Sequence, residues 1–128
     1  MTDNKKVNQF LTIASIMMAL AIAIGAFGAH GLKSLVSPEM LVVYHTGVEY
    51  QFYNTLGLFA ASFVIYLKPD SKKSVVAAWL ILIGMIIFSF SLYLLVILNI
   101  PVLGAITPIG GTLMIIGWLT LAYSILRG

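Results

Sequence analysis

The chain has 128 residues, of which 61 % are hydrophobic and 9 % charged; 7 basic and 4 acidic side chains give a net charge of +3. Soluble domains carry roughly 25 % charged residues, so this surface cannot be one that faces water. Disorder, a disulfide scaffold (cysteine is absent) and nucleic-acid binding are excluded together, which leaves an integral membrane protein.

In chain order, Lys5 and Lys6 precede a charge-free run over residues 7–32, and a helix is predicted over 9–29. Its apolar run is longer than the roughly 7–15 residues of a signal-peptide core, so it reads as a retained span. It ends in Gly25-Ala26-Phe27-Gly28-Ala29-His30-Gly31. With no Walker lysine and no preceding strand, that stretch reads as a tightly packed helix end and not as a phosphate cradle. Residues 31–36 are short and amphipathic and suit the membrane interface. Ser37-Pro38-Glu39 then has the grammar of a helix start: a capping hydroxyl, proline in the first turn, and an acid at the positive dipole end. A helix from 38 to 67 would be about 45 Å long. Its first turns should therefore stand outside the hydrocarbon or lie along it, with Gly47 the natural bend and residues 48–67 the span.

Lys68, Lys72 and Lys73 form a basic loop suited to anionic lipid headgroups, or one that merely sets topology. Residues 74–126 then carry no charge at all. As one helix that run would be about 80 Å long, so it must turn back. Asn99-Ile100-Pro101, Gly104 and Thr107-Pro108 supply the breakers, giving helices over 75–98 and 108–126, with Thr107 as cap of the last. Six of the seven basic residues fall on one side of four spans, and only Lys33 falls on the other. The positive-inside rule makes both termini cytoplasmic in a cell-membrane, multi-pass protein. Tyr66, Trp79 and Tyr123 would form an inner aromatic belt, and Tyr44 and Tyr50 an outer one.

Helices in lipid associate through small residues and polar groups. A seven-residue series of small or polar residues runs down each helix: Ala14, Ala21, Gly28; Gly47, Asn54, Ala61; Ala77, Gly84, Ser91; Gly110, Gly117, Ser124. That period favours left-handed, nearly antiparallel packing. Gly25, Gly28, Gly84, Gly110, Gly111 and Gly117 are the expected packing glycines, and Trp118 is expected to fill the bundle rather than to hydrogen-bond. Ser62, Ser89 and Ser91, lying mid-helix, can bond the carbonyl four residues back. No base neighbours them, and the Gly-x-Ser-x-Gly elbow is absent.

The chemically capable side chains gather at the outer end of the first two helices: His30, His45, Glu49, Tyr50, Gln51, Tyr53 and Asn54. His45, Glu49 and Tyr53 share a helix face. His30, His45 and Glu49 have the residue types of a divalent-metal or haem site without a known motif. Glu49 with His45 could relay a proton or gate a solute. The favoured reading is that these groups satisfy one another near water.

Three segments carry a resemblance: Gly25-Ala26-Phe27-Gly28-Ala29-His30-Gly31-Leu32; Gly47-Val48-Glu49-Tyr50-Gln51-Phe52-Tyr53-Asn54; and Thr107-Pro108-Ile109-Gly110-Gly111 with Gly117-Trp118. Together they resemble, in order and over nearly the whole chain, the small bacterial membrane proteins of the domain of unknown function 423 family. The resemblance implies four transmembrane helices and no known activity. Glu49 stands where that family commonly has Arg, and Asn54 where it commonly has His, which makes His30 the better candidate for a shared role.

The expectation is one all-α domain over residues 1–128: an antiparallel four-transmembrane-helix bundle with a short outer interfacial segment. It has no cofactor motif, no metal site and no catalytic constellation. Its expected partners are membrane lipids, other membrane proteins or a second copy of itself, and not nucleic acid. A non-enzymatic bundle binding lipid, an isoprenoid or a partner membrane protein is the first reading. A small transporter or channel component using the polar outer end is the second, and a metal or haem protein using His30, His45 and Glu49 the third. In each, chemistry is expected in segment 30–54, with the last two helices as scaffold.

Overall fold

The computed structural model describes residues 4–127, so both ends of the 1–128 span lie outside it. Four helices follow in order: α1 Lys5–Phe27, α2 Pro38–Leu67, α3 Lys72–Leu98 and α4 Thr107–Arg127. A π-helical turn, Gly28–Leu32, extends α1, and a 3-10 turn, Pro101–Ala105, joins α3 to α4. There is no strand among the described residues. This is the expected all-α membrane bundle.

Each boundary has a local cause. The Ser37 hydroxyl accepts from the Met40 amide at 3.2 Å, with Pro38 in the first turn and Glu39 beside it. Ser71 caps α3 in the same way, accepting from the Ser74 amide at 3.3 Å. These hydroxyls satisfy amides that no helical carbonyl can reach. Asn99 ends α3 in the left-handed region (φ 54°), where its amide donates to Leu95 O; Asn tolerates that conformation better than other residues with a Cβ. Thr107 opens α4 but aims its hydroxyl at Ser91 Oγ of α3, 2.6 Å away, where an amide cap was expected.

α2 is continuous from Pro38 to Leu67, with no break at Gly47. Gly47 is a point of close approach: a Cβ there would lie 2.7 Å from the Tyr93 ring and 3.2 Å from Ser89 O. α1 closes in an unforeseen way. The Tyr44 hydroxyl donates to Ile24 O at 2.6 Å, and the Tyr44 ring occupies the space a Cβ at Gly28 would need. An inserted side chain competing for a helical carbonyl is a usual companion of a local π turn. Tyr44 is therefore 1 % exposed and does not belong to a lipid-facing belt, whereas Tyr66 and Tyr123 remain exposed.

The main helix contacts run between α1 and α2, α2 and α3, and α3 and α4. Gly84 and Gly110 bring α3 and α4 together at the backbone, since a Cβ on Gly84 would lie 2.7 Å from the Met114 amide nitrogen and 2.8 Å from Gly110 O. All twelve residues of the four seven-residue series are buried. α3 is the most enclosed span, with 56 % of its apolar window buried, against 22 % for α1 and 17 % for α4. α2 and α3 are thus the central pair, and α1 and α4 flank them. α1, α3 and α4 are each long and apolar enough to cross a membrane unaided. α2 is the most polar helix, but its Gln51, Asn54, Thr55 and Ser62 are turned inward and buried, which keeps those groups away from lipid.

At the opposite end, Lys68 Nζ donates to Ile125 O at 2.9 Å and Lys73 lies 5.4 Å over the Tyr123 ring. The basic loop thereby neutralises the carbonyl end of α4, where the helix dipole favours a cation. Lys72 stays exposed.

Candidate functional site

The polar residues in the half of the bundle nearer the N-terminus of α2 divide into a sealed ladder and an open groove. The ladder begins at Gln51, which is fully buried. Its Nε2 donates to Met17 O of α1 at 3.0 Å, and its Oε1 accepts from the Tyr93 hydroxyl of α3 at 2.6 Å. One level outward, Ser89 Oγ donates to Gly47 O at 2.7 Å. One level inward, the Thr55 hydroxyl donates to Met85 Sδ at 3.4 Å. The two serines flanking Phe90 depart from the expected back-bonding. Ser89 reaches across to α2, and Ser91 donates to Phe88 O, three residues back. Ser62 does bond Leu58 O, four residues back. Among the described residues, every buried side-chain nitrogen and oxygen has a partner. This ladder therefore acts as a joint between α1, α2 and α3, with each of its groups satisfied.

The groove lies between α2 and α4. It has a volume of about 640 Å³ and is lined by Tyr50, Tyr53, Asn54, Phe88, Gly111, Met114, Ile115, Trp118 and Leu119, within the roughly 300–1,000 Å³ typical of small-ligand sites. Its floor carries Asn54, and Gly57 lies three residues further along the same face of α2. The Trp118 ring fills the space a Cβ at Gly57 would take, and its Nε1 donates to Asn54 Oδ1 at 2.9 Å. Trp118 thus both packs and hydrogen-bonds, where packing alone was expected. Asn54 Nδ2 returns a bond to Tyr50 O at 2.9 Å, which fixes the amide's orientation. At the mouth, the Tyr53 hydroxyl donates to Glu49 Oε2 at 3.1 Å. Tyr50 packs against Tyr53 and Phe88, with centroids 5.8 and 4.6 Å away. The lining holds no basic side chain.

Tyr50, Tyr53 and Asn54 of the expected polar cluster meet at this groove, and Glu49 borders it. Gln51 belongs to the ladder. His45 stacks edge-on beside Tyr44 at 6.2 Å, and His30 is exposed on the π turn. His30, His45 and Glu49 are not brought together: no group of three or more His, Cys, Asp or Glu side chains suited to a metal ion forms among the described residues. The last two helices, expected as scaffold, form part of the groove wall: α3 supplies Phe88 and α4 supplies Gly111, Met114 and Trp118. The sequence hint was the Asn54-x-x-Gly57 spacing, a polar atom beside a missing side chain, which has the dimensions to receive an indole.

Residues 24–111 match the family described as "Protein of unknown function (DUF423)". The chain is 40 % identical over 118 residues to UPF0382 membrane protein YwdK of Bacillus subtilis, covering 92 % of this chain and 96 % of the relative. It is 44 % identical over 112 residues to UPF0382 membrane protein SAUSA300_0565 of Staphylococcus aureus, covering 88 % and 90 %. A UPF0382 membrane protein of Haemophilus influenzae is 38 % identical over 116 residues, covering 91 % and 92 %. No solved structure matches the chain.

Proposed function

This chain belongs to the DUF423 family of membrane proteins of unknown function, and from that premise we propose that it is a non-enzymatic bundle whose α2–α4 groove holds a chain-like amphiphile of the lipid or isoprenoid class. The observation that carries this is the groove itself. It combines apolar walls from Met114, Ile115 and Leu119 with a floor whose amide and indole are already paired to each other. Such a surface offers contact area and no spare catalytic group. Exposed lipid-facing residues such as Ile109, Ile116 and Leu126 on α4 would let a bilayer molecule enter sideways.

The test uses the room at Gly111, where a Cβ would sit 3.7 Å from the Phe88 ring, an ordinary contact. A Gly111→Leu side chain projects into the groove. Native mass spectrometry of the purified protein is expected to show one bound amphiphile on the wild type and its loss from Gly111→Leu. An unliganded wild type, or a ligand retained by Gly111→Leu, sinks the reading.

We further propose that the lysine-bearing end of the bundle, with both termini, faces the cytoplasm of a cell membrane, supported by the clustering of Lys5, Lys6, Lys68, Lys72, Lys73 and Arg127. Lys72, exposed there, is the residue best placed to meet anionic headgroups. Because the chain has no cysteine, single-cysteine labelling is clean. Ser34→Cys is expected to react with a membrane-impermeant maleimide on intact cells, and Asp70→Cys only after lysis. The reverse pattern inverts the topology.

A further inference from the structure

We propose that the ligand of the α2–α4 groove is a single-chain organic cation, its ammonium head held by the π faces of Tyr50, Tyr53 and Trp118 with the Glu49 carboxylate as counter-charge. This rests on the groove reading above and adds the head-group chemistry. An aromatic ring presents a negative face, and several rings around one space recognise ammonium groups. Tyr50 and Tyr53 stand 5.8 Å apart with a T-shaped interplanar angle of 63°, and both line the same cavity as Trp118. The Tyr53 hydroxyl donates to Glu49 Oε2, which makes its ring more electron-rich and ties the carboxylate to the groove mouth.

Charge complementarity selects the cation. At the other end of the bundle the chain furnishes its own partner for an exposed tyrosine, Lys73 over Tyr123. At the groove it furnishes none, for the lining has no basic residue. An anionic head would meet Glu49 repulsion, and a neutral head would leave both the carboxylate and the ring faces unused. Depth agrees as well. Glu49 lies 19 residues along α2 from Lys68, about 28 Å at 1.5 Å per residue, close to the roughly 30 Å of a hydrocarbon core. With Lys68 at one boundary, the carboxylate is at the other, where an ammonium keeps part of its hydration. The tail then runs inward past Leu119.

The test places the full chain in phosphatidylglycerol nanodiscs and titrates it with dodecyltrimethylammonium, dodecanol or dodecyl sulfate at equal mole fraction, bound probe being counted by native mass spectrometry. The wild type is expected to prefer the cation over the alcohol by about ten-fold, as cation–π contacts and a partly desolvated counter-charge imply. Glu49→Gln, which keeps an acceptor for Tyr53, should shrink that preference to about three-fold or less. Tyr50→Leu should do the same and carries the test if Glu49→Gln does not fold. Equal binding of cation and alcohol by the wild type overturns the cation assignment and leaves the groove reading standing. Failure of all three probes to bind overturns both.

Discussion

Gly110→Ala is expected to destabilise the bundle by about 3 kcal/mol, the upper end of what overpacking usually costs, while Gly111→Ala beside it is expected to be neutral or mildly stabilising. The two glycines differ only in what a methyl group would meet. At Gly110 it would collide with the Phe88 amide nitrogen and lie 2.6 Å from Gly84 O, both backbone atoms that cannot step aside. At Gly111 the nearest atoms are the Phe88 ring carbons, at 3.7 and 3.8 Å. A Gly in a helix interior gives up roughly 0.5–1 kcal/mol relative to Ala, so Gly111→Ala recovers part of that and Gly110→Ala does not. Thermal unfolding of the two variants in the same detergent separates them. Equal melting temperatures would mean that α3 and α4 do not approach through these backbones.

The second large effect belongs to the buried bridge across α1, α2 and α3. Gln51→Leu strands the Tyr93 hydroxyl, which donates to Gln51 Oε1 at 2.6 Å, and removes the 3.0 Å bond to Met17 O, a carbonyl that keeps its place in the α1 hydrogen-bond ladder. Orphaning one buried group costs about 1–3 kcal/mol and a lost bond about 1 kcal/mol, so a total of about 2–3 kcal/mol is expected. Tyr93→Phe alone orphans only Gln51 Oε1 and should cost about 1–2 kcal/mol. The double variant should lose less than the sum, because the second change removes a group that the first had stranded. A coupling of about 1 kcal/mol falls within what transmembrane hydrogen bonds have been found to supply. Strict additivity in a double-mutant cycle would show that the two side chains do not bond in the folded protein.

Much of the fold was legible because lipid imposes a simple rule: charges stay out and helices must pair closely. Charge-free runs located the spans, and Ser37-Pro38-Glu39 fixed the start of α2 at a position where hydropathy alone would have begun later. The seven-residue series named the buried stripe of each helix. What one dimension does not encode is rotation and reach. Nothing local says that the Tyr44 hydroxyl would reach Ile24 O beside a π turn at Gly28–Leu32, or that Ser89 would choose Gly47 O over its own helix. The candidate site was half legible. Tyr50, Tyr53 and Asn54 stood out as polar residues at the outer end of α2. Their counterparts Met114 and Trp118, though, come from a helix whose sequence is almost wholly apolar, and the pairing across 64 residues becomes visible only when α4 returns beside α2. His30 and His45 attracted notice by residue type, but type says nothing of direction, and they do not join Glu49 in a metal-binding group.

The glycine contact of Gly84 with Gly110 bears on how the protein is made. The second half of the chain, from 74 to 126, contains no charge for the insertion machinery to read. Its two helices carry their own means of closing on each other. Under the topology proposed above, α3 and α4 would enter the bilayer as a ready-made hairpin, its sidedness set from behind by Lys68, Lys72 and Lys73. Arg127 follows both helices and would confirm that choice rather than make it.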